Sequence, residues 1–128
     1  MIDPSYVYVV RNPAAVIRLE TVVGNGYKGQ VSCTLRTPEA DLSRGEGASP
    51  FTTILGPGSL CIGSDALVMA TAFEGPQGNP TPKPTLTCTV SEIVDDQVSN
   101  VESFMKVGDL PGTNGKSIIP MLISFASP

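Results

Sequence analysis

Four carboxylates crowd one part of this 128-residue chain: Glu92, Asp95, Asp96 and Glu102, in the run EIVDDQVSNVE. Hard oxygen ligands carried on loops suit calcium, so these four are the candidate metal ligands. Their spacing is not that of an EF-hand loop. Acids at the start of a helix, where the macrodipole favours negative charge, account for the same residues without a metal. Two carboxylates brought face to face could instead cleave a glycosidic bond, one as acid and the other as base or nucleophile. Such a pair needs no fixed spacing in the chain. The aromatic platforms that usually hold a sugar are scarce, however, since Phe and Tyr make up 5% of the residues and Trp is absent.

The stretch GDLPGTNGKS, residues 108–117, ends like a phosphate-binding loop. That loop requires a glycine five positions before the glycine of GKS and a helix directly after it, whose N-terminus faces the phosphate. Leu110 stands where the first glycine is needed, and the β-branched, proline-bearing SIIPMLISF follows where the helix should be. Asn114-Gly115 therefore reads as a turn into a final strand. GPGSLCIG, residues 56–63, fails the dinucleotide fingerprint in the same way. Its third glycine is misplaced and an apolar strand follows, so it reads as turns.

Histidine is absent. This removes Ser-His-Asp and Cys-His catalysis, HExxH zinc sites and imidazole switching near neutral pH. No cofactor is expected. The eight basic residues are scattered and the net charge is −4, which provides no footprint for a phosphate backbone, so nucleic acid is not an expected partner. No apolar run is long enough for a membrane-spanning helix. The start, MIDPSYVYVVRNP, lacks the basic and apolar regions of a secretory signal. Together with an odd cysteine count this favours a cytoplasmic location.

Of the three cysteines, Cys33 and Cys88 sit mid-strand in QVSCTLR and TLTCTVS, each on the apolar face. Two inward cysteines on separate strands resemble the inter-sheet bridge of immunoglobulin domains. The resemblance is architectural and covers two strands. Leu86 stands where such domains carry their corner tyrosine, and no tryptophan packs on the pair. A bridge closing a loop of that length would stabilise the fold by about 4 kcal/mol in the chain-entropy account. The alternative is a pair of reduced thiols acting as small hydrophobes, which the odd Cys61 and the absence of a signal favour. Cys61 lies in a glycine-bounded turn or strand start, with no basic residue nearby in the sequence to activate it.

These residues need a scaffold, and the periodicity supplies one. AVIRLETVV, residues 15–23, alternates with period two, Asn25-Gly26 provides a tight turn, and QVSCTLR alternates again, which together predict a hairpin. Residues 37–58 are rich in Gly and Pro and read mostly as loop, with a short strand at Phe51 to Leu55. Ala66 to Phe73 is apolar on both faces, as a strand covered on each side would be. GPQGNPTPKP, residues 75–84, is an exposed loop, and TLTCTVSEI is a strand with one threonine-rich face. Residues 94–108 carry two readings. Val94, Val98, Val101 and Met105 recur at helical spacing, with Ser99 and Glu102 as a capping box; alternatively a loop leads to a strand at Val101 to Val107. KSIIPMLISF is a last strand in which Pro120 demands an edge position or a bulge.

The expected fold is thus all-β: one domain over residues 1–128, an antiparallel β-sandwich of Greek-key or immunoglobulin-like kind with about seven to eight strands, and room for one short helix near 95–107. The expected role is that of a non-catalytic binding or assembly module whose partner is itself or another protein. The apolar segments Ala66 to Phe73 and Ile118 to Phe125 exceed what one small core needs. The competing readings are a calcium- or carbohydrate-dependent recognition domain, which would place the acids of 92–102 beside the loop at 75–84, and a small carboxylate hydrolase.

Overall fold

A computed structural model describes residues 6–128. It contains nine strands: β1 (Tyr6–Val9), β2 (Val16–Gly24), β3 (Lys28–Arg36), β4 (Asp41–Ala48), β5 (Phe51–Pro57), β6 (Asp65–Phe73), β7 (Thr85–Val94), β8 (Gln97–Val107) and β9 (Lys116–Ala126). One helical turn, α1 (Gly58–Cys61), precedes β6 within the stretch read as turns. The strands form a β-sandwich with a five-stranded sheet ordered β1-β9-β6-β3-β4 and a four-stranded sheet ordered β5-β2-β7-β8. All pairings are antiparallel except that of β1 with β9, which is parallel.

The alternation read from the sequence sets which side chains meet between the sheets. Ile17 and Leu19 of β2, Val31 and Leu35 of β3, Val68 and Ala70 of β6, Leu86 and Val90 of β7 and Ile119 and Ile123 of β9 are all buried in one core. Each large aliphatic side chain so buried contributes about 1.5–3 kcal/mol relative to exposure.

Four expectations need correction. First, β2 and β3 are not a hairpin. Asn25 (φ 64°) and Gly26 (φ 81°) do reverse the chain, but β2 pairs with β5 and β7 while β3 pairs with β4 and β6. The turn is an arch that carries the chain from one sheet to the other. Period-two alternation is identical in both arrangements, because an arch and a hairpin each bury one face per strand.

Second, residues 37–58 are mostly strand. Both β4 and β5 lie at sheet edges, where poor strand formers survive because pairing holds them. Glycine has a direct use in β4, since a Cβ at Gly47 would stand 2.9 Å from the Phe51 ring.

Third, residues 97–107 are strand throughout, and the helical alternative fails. Asp95 (φ 50°) and Asp96 (φ 63°) make a tight β7–β8 turn with positive φ at both central residues. The helical spacing has a local cause. Asn100 adopts φ 49° inside β8, and the register against β7 shifts between Val90 and Glu92. Val98 thereby shares the outer face of the sheet with its partner Ile93, while Met105 shares it with Thr87. The irregularity gives the spacing of three from Val98 to Val101, and plain alternation gives the spacing of four from Val101 to Met105.

Fourth, β6 is central in its sheet but covered on one face only. Ala66, Val68, Ala70 and Ala72 are buried, whereas Met69 is 37% exposed on the outer face. Pro120 of β9 sits beyond the reach of the described β1 pairing, which covers Ile123 to Ala126, as a residue without a backbone donor requires.

Candidate functional site

β7 is the strand that brings the predicted acids into the fold. Glu92 follows Leu86, Cys88 and Val90 on its inward face and is 1% exposed. Its carboxylate meets four donors. Oε1 accepts the Asn12 amide at 2.8 Å, and Oε2 accepts the Arg11 amide at 3.1 Å, the Tyr8 hydroxyl at 2.9 Å and the Asn100 side-chain amide. Burial pushes the Glu92 carboxyl up, but these hydrogen bonds outweigh it and hold the group below the ordinary carboxylate range. Three donors converge on Oε2 and one on Oε1, so hydrogen bonds from this chain hold the charge. Glu92 is therefore a structural anion that ties the segment after β1 to β7 and β8. A depressed pKa is also the reverse of what a general acid requires.

The other three acids go elsewhere. Asp95 and Asp96 are exposed at the tip of the β7–β8 turn, and Glu102 is exposed along β8. Among the described residues no group of three or more carboxylate or thiol side chains is gathered as metal ligands. The acidic turn and the 75–84 loop stand at opposite ends of β7, roughly 30 Å apart at strand rise.

All three cysteines are free and buried. Cys33 and Cys88 lie on the inner faces of opposite sheets, as their alternation implied. Cys61, read from the sequence in a glycine-bounded turn or strand start, is buried in α1. Burial pushes the Cys33 and Cys88 thiols up to about 12 and the Cys61 thiol up to about 11. None of them is a nucleophile at neutral pH.

Tyr8 and Asn100 are the residues that sequence reasoning missed. The Tyr8 hydroxyl shares its proton between Glu92 and the Asn100 carbonyl, 2.5 Å away, and the Asn100 amide also donates to the Val9 carbonyl at 2.9 Å. The short strand β1 thus closes one side of the sandwich by reaching from the edge of one sheet to the edge of the other. On the opposite side Arg44 of β4 donates to the Leu55 carbonyl of β5 at 2.9 Å.

Two surfaces remain open. The long loops meet at one end of the strands, where the 75–84 segment and the 111–116 turn form a cleft of about 520 Å³ between Tyr27, Phe73, Pro76, Pro111 and Lys116. The stretch that imitates a phosphate loop and the proline-rich 75–84 loop thus both line this cleft. Tyr27 is fixed by donating to the Pro82 carbonyl at 2.7 Å, and Lys28 pairs with Glu74 at 2.7 Å beside the cleft. The second open surface is the outer side of each sheet. Met69, Ile118 and Val7 are exposed on the five-stranded sheet, and Val22, Ile54, Val101 and Met105 on the four-stranded one. The chain matches no protein-family model, and no curated protein or solved structure matches it.

Proposed function

We propose that this protein is a non-catalytic β-sandwich module that works by assembling with copies of itself through the outer faces of its sheets. The supporting observation is Ile118, the most exposed large apolar side chain among the described residues at 65%, standing beside the likewise exposed Met69 on the same outer sheet face. A sheet covered on one side only normally turns a polar row to water. Here apolar side chains occupy positions where that row belongs, on both sheets, and apolar area of this kind marks subunit contacts.

Reading the module as non-catalytic rests on three features. Histidine is absent, the three thiols are buried with raised pKa values, and the one buried carboxylate among the described residues is held by four donors. The test is a paired substitution. A chain carrying Ile118→Lys and Val101→Lys, one change on each sheet, keeps its strand circular dichroism and its melting temperature within a few degrees, because both positions are solvent-facing. It stays monomeric at concentrations where the wild type associates. Association equal to wild type in that variant would place the contact elsewhere and defeat the reading.

A further inference from the structure

Building on the self-assembly reading, we infer that the primary contact is a two-fold pairing of five-stranded sheets, outer face on outer face, with the strands of the two copies antiparallel. Register carries the first part of the inference. Across β6 and β9 the outward residues pair as Asp65 with Ser124, Leu67 with Leu122, Met69 with Pro120, Thr71 with Ile118 and Phe73 with Lys116. Rotation about an axis running across the strands through the Met69–Pro120 row sets Met69 against its own copy and Leu122 against Ile118. It also lays the Phe73–Lys116 row over the Asp65–Ser124 row. Apolar groups meet at the centre and polar groups at the rim, which is the anatomy of a stable interface.

Charge selects the antiparallel orientation. Among the described residues, all four lysines, Lys28, Lys83, Lys106 and Lys116, lie at the cleft end of the strands, with Glu74 and Asp109 the acids there, a surplus of two positive charges. At the opposite end Glu39, Asp41, Asp65, Glu92, Asp95 and Asp96 outnumber Arg11 and Arg36, a surplus of four negative charges. Antiparallel strands place the positive end of each copy on the negative end of the other; the like-charged pair this brings together, Lys28 over Arg36, is offset because each is already paired within its own copy, to Glu74 and to Asp65. Parallel strands would set Lys116 over Lys28 and acid over acid, which opposes association.

Size agrees as well. The five strands, four to eleven residues long, about 4.8 Å apart and rising about 3.3 Å per residue, present a flat footprint of roughly 650 Å². A specific interface needs about 800 Å² of accessible surface from each partner, and accessible surface exceeds a flat footprint. A second copy therefore fits the face without any further element.

The experiment reads the dimer dissociation constant by sedimentation for the intact chain and four variants. Ile118→Lys weakens pairing by about tenfold or more, whereas Val101→Lys on the other sheet leaves this step unchanged. Lys116→Glu and Asp65→Lys each weaken it, and an equimolar mixture of the two recovers pairing, because in the mixed dimer each altered residue faces an opposite charge. Asp65→Lys also breaks an exposed pair with Arg36 at 3.5 Å, and the melting temperature of each variant shows that it is folded. Self-association that Ile118→Lys does not change would overturn the face while leaving assembly intact. Tighter pairing in Lys116→Glu would overturn the orientation. A wild-type chain that is monomeric throughout removes both this inference and the reading beneath it.

Discussion

Glu92 shows how much one side chain can hold in place. Its folded pKa lies below its ordinary value of 4.5, so the ionised form favours the fold. That stabilisation is complete above the unfolded pKa and is lost as pH falls through the lower folded value. Glu92→Gln keeps the size but sets its amide nitrogen against at least the Asn12 N–H donor and leaves the other donors an uncharged acceptor, and a loss of about 2–3 kcal/mol is expected at pH 7. The measurement is urea denaturation from pH 7 down to pH 3. The gap between wild type and variant should shrink below about pH 4.5, and a constant gap would show that Glu92 does not carry the charge assigned to it. A second prediction concerns the thiols. Buried and with raised pKa values, all three should resist alkylation at pH 8 in the native state and react together once the chain unfolds. At this scale the sequence revealed an inward cysteine pair but not the task of Glu92. A lone acid in an alternating strand looks like a ligand, and its donors at Tyr8, Arg11 and Asn12 stand 80 or more positions away.

Elements were legible where local pattern alone decides them. β2, β3 and β7 stand where period-two patterns placed strands, and β6 and β9 where runs apolar on both faces did. What alternation does not encode is the sheet to which a strand belongs, so the Asn25-Gly26 turn was correctly located and wrongly joined. Edge strands escaped for a different reason: β1 and β4 bury too little apolar surface to leave a pattern. The link from β8 to β9 gives a test at this scale. Gly108 donates its amide to the Pro84 carbonyl at 2.8 Å, and a Cβ there would stand 2.6 Å from Ile119. Gly108→Ala should therefore cost about 1–3 kcal/mol by overpacking. Adding Ile119→Val, which removes a methyl group from the same contact, should make the alanine less costly than in the wild-type background. Equal costs of Gly108→Ala in both backgrounds would show that the two residues do not press on each other.

At the scale of the whole molecule, two features stand out together. The chain carries apolar rows on the outside of both sheets, and its charge is divided between the strand ends although its net value is only −4. A molecule with opposite ends of opposite sign attracts copies of itself in an ordered way, and apolar faces convert that attraction into contact. No helix among the described residues is long and apolar enough to cross a membrane, so helical insertion does not account for the exposed apolar rows. The excess of apolar strand residues at Ala66 to Phe73 and Ile118 to Phe125, on which the assembly proposal draws, was legible in the sequence. Which side chains face outward was not, because that depends on having one covered face. The most direct measurement is the mass in solution by sedimentation over a wide dilution series. Self-assembly requires species at multiples of 13.3 kDa that dissociate on dilution; a single 13.3 kDa species at every concentration contradicts it.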